Sequence, residues 1–217
     1  MSDSRNVKKI YVVFSATPYK TGKTIRMITR TEYNHASLAL DSSLDVLYAY
    51  SRYYENTTFY GGFTEESLMR YQCKKNDSKI MVCELPVSEE QYDRLVCKIE
   101  EIKSNREDYI YNFISMFAAP FGGSVALENS YTCIEFVCML LKYIGVYRSK
   151  NMSPSFDQLT KVMRKYVVFE GESREYHKAT GWGPDPFPEH KTRRFYLAGM
   201  KKNTKKLIKK YKTRPRG

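Results

Sequence analysis

Nearly all the net positive charge of this chain lies at its C-terminal end, and this limits which residues can form a buried core. The chain has a formal net charge of +12, with 36 Lys and Arg against 24 Asp and Glu. From Lys178 to Gly217 there are 13 Lys and Arg but only two acidic residues, a net charge of +11. The preceding 177 residues are therefore nearly neutral and can bury one substantial hydrophobic core. We expect one globular domain over residues 1–171, followed by an irregular joint and a basic extension over residues 172–217.

The basic extension has two interpretations. Lysine pairs at helical spacing from Met200 to Tyr211 predict a basic helix. One interpretation is a solvated tail that keeps the protein in solution. The other is a docking surface for an acidic protein partner or for an anionic surface such as lipid headgroups. No known nucleic-acid-binding module accompanies the basic run, which argues against nucleic acid as the main ligand.

The cysteines and the apolar stretches indicate the compartment. Five cysteines, an odd number without metal-ligand spacing, argue against a disulfide framework and a zinc site, and we expect no metal and no other cofactor. The longest apolar stretch, residues 113–127, is interrupted by Pro120 and two glycines and is too short to span a bilayer. The N-terminus also lacks a charged and then apolar leader. The sequence therefore predicts a cytoplasmic protein without a transmembrane segment.

Short alternating runs and helical repeats occur in mixed order along the chain, which predicts the α+β class. Two alternating runs joined by Asp41-Ser42-Ser43 predict a β-hairpin. The sequences Ser88-Glu89-Glu90-Gln91 and Ser155-Phe156-Asp157-Gln158 are capping boxes that predict helix starts, with Val162 facing inward in the second helix. The pair Gly61-Gly62 predicts a turn near a cleft. The expected strands are residues 9–15, 35–40, 46–51, 79–85 and 167–169, and the expected helices are residues 21–29, 89–104 and a third that begins at 156.

Cys133 is the strongest candidate for a nucleophile. It lies where a polar stretch gives way to apolar residues at helical spacing, so we expect it in the first turn of a helix. Unpaired amides and the helix dipole at that position favour a thiolate. Cys138, five residues further along, is expected to be an inert packing residue.

His35 is the best available base. It is one of three histidines and lies in an alternating run that should hold its imidazole rigidly in a strand. The other two, His177 and His190, lie in or near the irregular joint. A thiol with an imidazole partner can attack a carbonyl group, after which the imidazolium protonates the leaving amine. We expect the backbone amide of Cys133 to help bind the oxyanion.

The sequence near the predicted hairpin provides no carboxylate to orient His35. A turn at Ser42-Ser43 places about Tyr50 opposite His35, and none of the neighbouring positions there is a carboxylate. We therefore predict Tyr48 as the orienting group. The Tyr50 hydroxyl, Asn34 and a main-chain carbonyl remain alternatives.

Three further residues near the nucleophile receive predicted roles. Glu135 points away from Cys133 on a helix, so we expect a structural role in which it bonds Arg52 or a backbone group. Tyr131 and Ser15 are expected to line the substrate pocket.

Several of these segments together resemble a known family. The strand Tyr33–Leu40, the following strand Leu47–Arg52, the Gly61-Gly62-Phe63 loop and the segment Tyr131–Val137 are similar to circularly permuted NlpC/P60 proteins. These are papain-like thiol enzymes in which the histidine precedes the cysteine, and the resemblance covers residues 8–171. It implies a papain-like α+β fold, with an antiparallel sheet packed against the helix that carries the nucleophilic cysteine. It also implies cleavage or transfer at amide or ester bonds through an acyl-thioester.

The sequence thus predicts a cysteine-dependent hydrolase of amide bonds that acts on a peptidic or acyl small-molecule substrate. One alternative is an acyltransferase or amide-forming enzyme that accepts an amine in place of water. Another is a non-catalytic binding module that kept the fold and lost the activity.

Overall fold

The computed structural model describes residues 7–57, 59–72, 78–119, 123–149, 153–176, 178 and 185–214. Within these ranges the chain forms eight strands and seven α-helices in mixed order, so the protein belongs to the α+β class. The strands are β1 (Lys8–Ser15), β2 (His35–Ala39), β3 (Leu47–Arg52), β4 (Gly61–Glu66), β5 (Lys79–Val87), β6 (Ile110–Tyr111), β7 (Ser130–Tyr131) and β8 (Val167–Glu172). The helices are α1 (Lys20–Thr29), α2 (Met69–Gln72), α3 (Glu89–Ser104), α4 (Phe113–Ala118), α5 (Cys133–Tyr143), α6 (Phe156–Met163) and α7 (Arg193–Thr213).

One sheet organises the molecule, in the order β7-β6-β4-β3-β2-β1-β5-β8. All neighbouring strands are antiparallel except β6 and β7, which are parallel. The central strand β1 is apolar on both faces because each face of the sheet is covered. Ile10 and Val12 belong to the cluster on one face, and Tyr11 and Val13 belong to the cluster on the other. This central position fixes β2 beside β1, with Ser15 directly opposite His35.

Helix α5 packs across β2 and β3 on one face of the sheet. It begins at Cys133 because Thr132 and Glu135 form a capping box, in which Glu135 accepts the Thr132 N–H at 2.8 Å. The side chains of Phe136 and Leu140 are fully buried against the sheet. This packing fixes the direction of the helix and therefore the place of its first residue.

The two predicted capping boxes are confirmed, and they start α3 and α6. In α6, Leu159 and Met163 are buried as expected. Val162 was expected to face inward, but its side chain is 45% exposed. The prediction was wrong because a short helix of eight residues buries only one narrow face.

The pair Gly61-Gly62 forms the start of strand β4, so the predicted turn is wrong. An added Cβ at Gly61 would lie 2.3 Å from the Ser51 carbonyl oxygen, and one at Gly62 would lie 2.3 Å from the Tyr109 carbonyl oxygen. Glycine is needed here because neighbouring backbones approach too closely for any side chain.

The C-terminal segment packs on the rest of the chain. The predicted basic helix is α7, and it covers part of the sheet near β6. Leu207 and Asn203 are buried there, and the Asn203 amide donates to the Gly61 carbonyl at 2.6 Å. Part of the predicted joint, residues 179–184, lies outside the described residues. The domain boundary at residue 171 stays a prediction.

Among the helices described, none combines the length and the apolar character that crossing a bilayer requires.

Candidate active site

Cys133 and His35 lie 98 positions apart in the sequence, and the fold brings them together. Cys133 is the first residue of α5, and His35 is the first residue of β2, on which α5 packs. Both residues are buried, with 5% and 8% of their surface exposed. Both side chains line the same cleft, and the thiol is near enough to the imidazole to affect its pKa. The structure therefore places the predicted nucleophile beside the predicted base.

The second contact of the imidazole is a carboxylate. Nε2 of His35 lies 2.8 Å from Oε2 of Glu66, at the end of β4. This contact leaves Nδ1 of His35 as the nitrogen available to the Cys133 thiol. The thiol, the imidazole and the carboxylate thus follow one another in the order of a nucleophile, a base and an orienting group.

The surroundings of His35 favour its charged form. Burial by itself would lower the pKa of His35, but the charge of Glu66 and hydrogen bonds with Cys133 and Glu66 raise it to about 10. The imidazole is therefore protonated at neutral pH. An imidazolium beside a cysteine is the kind of partner that thiol nucleophiles use in enzymes.

Glu66 has partners for both carboxylate oxygens. Oε2 accepts the Tyr71 hydroxyl at 2.7 Å in addition to its contact with His35, and Oε1 accepts from Arg70 at 2.6 Å and from Thr64 at 3.2 Å. Burial raises the pKa of a carboxyl group, but here the charges of Arg70 and His35 hold the pKa of Glu66 well below its usual range. Glu66 is therefore a fixed anion that orients His35.

Arg70 links Glu66 to the C-terminal segment. Its Nε and Nη2 donate to the two carboxylate oxygens of Asp185 at 2.8 and 2.6 Å, a bidentate pair. The side chains of Arg70 and Asp185 are only 4% and 1% exposed. We call the alternating set His35, Glu66, Arg70 and Asp185 the buried charge chain.

Tyr111 approaches the nucleophile from β6. It lines the same cleft as Cys133, and burial followed by the charge of Cys133 raises the pKa of Tyr111 well above its usual value. The hydroxyl therefore keeps its proton. It can serve as a second donor, beside the Cys133 N–H, to an oxygen that becomes negatively charged at this point.

These groups share a cleft of about 100 Å³. Its walls are largely aromatic, and they are formed by Tyr19, Tyr50, Tyr111, Phe113 and Phe187. Phe187 belongs to the C-terminal segment, and its ring centroid lies 4.3 Å from the Arg70 guanidinium. Burial in such walls strengthens the electrostatic contacts within the cleft.

Tyr48 does not orient His35, so that prediction is corrected. Tyr48 pairs with Leu38 across the hairpin, and its ring stacks on Phe63 with centroids 6.2 Å apart. Tyr48 is not one of the residues that line the cleft. Glu66 makes the contact that was assigned to it.

The two predicted pocket residues lie beside the cleft and do not line it. Tyr131 places its ring edge-on against Tyr50, with centroids 5.6 Å apart. Ser15 is fully buried opposite His35 in the sheet. Both support residues that line the cleft.

Glu135 has the structural role that was expected, with one change of partner. It bonds the backbone of Thr132 and accepts the Ser153 hydroxyl at 2.8 Å. Arg52, the other predicted partner, donates to the carbonyl oxygens of Glu55 and Thr57.

His190, one of the other two histidines, does not line the cleft. His190 contacts Asn56 at the surface, 3.3 Å between Nδ1 and the amide nitrogen, and His177 lies outside the described residues. Across the ranges that the structure describes, no three His, Cys, Asp or Glu side chains cluster as metal ligands.

Sequence reasoning missed Glu66, Arg70, Asp185 and Phe187. The first two carry a weak signal, the spacing of four residues between Glu and Arg, but that spacing is typical of a helix and here it spans the junction between β4 and α2. Asp185 and Phe187 have no local signal, since they lie in a segment rich in proline and glycine.

No protein-family model, curated protein or solved structure matches this chain. The assignment of a function therefore depends on the fold and on the geometry of the cleft.

Proposed function

We propose that this protein is a cysteine-dependent hydrolase of amide bonds that works through an acyl-thioester on Cys133. The observation that carries the proposal is that Cys133, His35 and Glu66 line one cleft, with Glu66 bonded to the His35 imidazole at 2.8 Å. A thiol nucleophile, an imidazole and an orienting carboxylate are the parts that this reaction needs.

In the acylation step, the Cys133 thiolate attacks the carbonyl carbon and the C=O electron pair moves onto oxygen. The Cys133 N–H and the Tyr111 hydroxyl donate to this oxyanion. The oxyanion then collapses, the C–N bond breaks, and His35 gives its proton to the leaving nitrogen. The products are a free amine and a thioester.

In the deacylation step, neutral His35 takes a proton from water as the water oxygen attacks the thioester carbon. The C–S bond breaks, the carboxylic acid leaves, and the thiolate and imidazolium are restored. Glu66 holds the imidazole in place through both steps, because its contact with Nε2 is independent of the reacting atoms.

We further propose a papain-like arrangement of the permuted NlpC/P60 kind. Three features support it: the histidine strand precedes the cysteine helix, the sheet is mostly antiparallel, and α5 packs on β2 and β3. A cytoplasmic location, a peptidic or acyl substrate, and docking of an acidic partner on the basic extension remain predictions from the sequence.

A second candidate is transfer of the acyl group to an amine. The low exposure of Cys133 and His35 favours it, since a cleft with aromatic walls limits the access of water to the thioester. Product analysis with water and amines in competition separates the two candidates.

Alkylation with iodoacetamide at about pH 6 tests the proposed nucleophile. Cys133 should react about 100-fold faster than the exposed Cys97, because an ordinary thiol is protonated at that pH. Cys138 is the matched control on the same helix, where burial raises the thiol pKa to about 12, and it should stay unmodified. Peptide mass mapping locates each adduct.

Two variants complete the test. His35→Gln should slow alkylation of Cys133 to the rate of Cys97 or below, and Cys133→Ala should abolish capture of acyl groups from a peptide and acyl-amide library. If Cys133 in the folded wild-type protein reacts no faster than Cys97, the non-catalytic alternative is favoured and the proposal fails.

A further inference from the structure

Arg52 is the last residue of β3 and lines the same cleft as Cys133 and His35. Its Nη1 donates to two backbone carbonyls, that of Glu55 at 2.8 Å and that of Thr57 at 3.0 Å. These two bonds use both N–H groups of Nη1 and fix the plane of the guanidinium.

The other side of this guanidinium has no acceptor in the part of the chain that the structure describes. No described carboxylate lies within 4 Å of it, and its Nε and Nη2 donate to no described group. Arg70, in the same cleft, is the opposite case, because Glu66, Ser51 and Asp185 occupy its donors. Burial lowers the pKa of Arg52, and the nearby Tyr19 and Glu55 offset only part of this effect.

We propose that Arg52 is a carboxylate-binding group, and that the substrate is an amide that carries a carboxylate close to the scissile carbonyl. The inference about the substrate rests on the proposed function. Nε–H and one Nη2–H of a guanidinium form a planar fork that matches a carboxylate in a bidentate pair. Because Nη1 is already held by the backbone, the fork is oriented before the ligand arrives.

Two observations place the anion near the reacting atoms. Tyr111 and Arg52 both line the cleft that contains Cys133 and His35. The rings of Phe187 and Tyr19 flank the guanidinium, with centroids 5.5 and 5.9 Å away. A carboxylate held by Arg52 would thus lie beside two aromatic rings, in the same cleft of about 100 Å³ as a carbonyl at Cys133, where the ion pair is poorly screened.

Binding to the Cys133→Ala protein, which cannot form an acyl adduct, tests the proposal without turnover. The probes are N-acetylglycine and N-acetyl-β-alanine, compared with the neutral N-acetylglycinamide, each titrated by NMR. Whichever of the two carboxylates binds more tightly should have an affinity at least about tenfold higher than that of the neutral amide. A charged bidentate contact contributes a free energy of that size. Methyl phosphate, titrated in parallel, should bind more weakly than that carboxylate.

Variants at Arg52 give the decisive comparison. Arg52→Gln should remove the preference for the carboxylate, and Arg52→Lys should keep part of it, since a lysine retains the charge but lacks the fork. Arg106→Gln, which removes a guanidinium above the Tyr53 ring outside this cleft, should keep the full preference. Unchanged thermal unfolding shows that any loss is local.

Equal binding of the acid and the amide, an unchanged preference in Arg52→Gln, or tighter binding of methyl phosphate overturns the proposal. These results differ from a failure of the proposed function. Selective binding of the carboxylate without any turnover would retain the anion site in a non-catalytic module. Equal turnover of substrates with and without the carboxylate would support the proposed enzyme and reject the anion site.

Discussion

Two networks of ion pairs tie the C-terminal segment to the rest of the molecule, and they differ in environment. The buried charge chain joins Asp185 to Arg70 and Glu66, with side chains no more than 4% exposed. The second network joins Lys202 and Lys206 of α7 to Glu107, with side chains 30 to 70% exposed. We call this pair of lysines with Glu107 the surface lysine network.

The comparison shows that the same kind of contact has different consequences in the two places. Removing one partner of a buried pair leaves an uncompensated charge and costs about 3–5 kcal/mol. An exposed pair is solvated with or without its partner and contributes about 0–1 kcal/mol. The buried charge chain is therefore expected to hold the cleft in shape, whereas the surface lysine network adds little to the docking of α7.

The largest expected effect is that of Glu66→Leu. It leaves His35 and Arg70 buried without their shared anion, so the free energy of unfolding should fall by about 3–5 kcal/mol in urea denaturation. The control is Glu107→Leu in the surface lysine network, which should cost less than about 1 kcal/mol. Similar losses for the two variants would remove the distinction between the networks.

Asp185→Asn should have a smaller effect on stability, about 1–3 kcal/mol, because Arg70 keeps Glu66 as a partner. It should also lower the pKa of His35, since Arg70 then interacts more strongly with Glu66 and weakens the hold of Glu66 on the imidazolium. NMR titration of labelled histidine measures this pKa, with His35→Gln to assign the signal.

The matched control for Asp185→Asn is Glu189→Gln. Glu189 is an exposed acidic residue of the same segment that pairs with Lys191. It should leave both the stability and the His35 titration unchanged. An unaltered His35 titration in Asp185→Asn would mean that the buried charge chain does not transmit charge effects to the cleft.

The contribution of His35 to stability should depend on pH. Its pKa is raised in the folded protein to about 10 from an ordinary value of 6.5, so its stabilising contribution is complete below pH 6.5 and is lost as the pH rises through 10. Urea midpoints of the wild type and His35→Gln should therefore converge between pH 6 and pH 10. A constant difference across that range would contradict the ion pair with Glu66.

The smallest expected effect is that of the double variant Lys202→Gln/Lys206→Gln. It should cost less than about 1 kcal/mol at low salt, and the cost should disappear at about 1 M salt, where surface charges are screened. Urea denaturation at both salt concentrations measures it. A larger loss that persists in salt would place the surface lysine network in the same class as the buried one.

Local patterns in the sequence were sufficient to predict the cysteine helix and most of the sheet. The change from polar to apolar residues before Cys133 located the helix start, and the capping box of Thr132 and Glu135 provides its physical basis. The hairpin was predicted, but its register was displaced by one residue. Leu38 pairs with Tyr48, whereas a turn centred on Ser42-Ser43 would shift that pairing. Register depends on the loop conformation, which alternation alone does not specify.

The orienting carboxylate could not be predicted because its position depends on contacts that are distant in sequence. Glu66 ends a strand whose first two residues are glycines, and those glycines are explained only by neighbouring backbones. The role of Asp185 is its ion pair with Arg70, which is distant in sequence, and the segment around Asp185 has no periodic pattern. Such residues acquire a role when the sheet and the C-terminal segment are assembled.

The bond between Arg70 and Asp185 also has a consequence for synthesis. The two residues are 115 positions apart, and Phe187, which covers Arg70, lies two residues further on. A ribosome must therefore deliver the chain beyond residue 187 of 217 before this arginine receives its second carboxylate and its aromatic cover. All the sheet strands lie before residue 173, so the chain that forms the sheet is synthesised before the residues that complete the cleft.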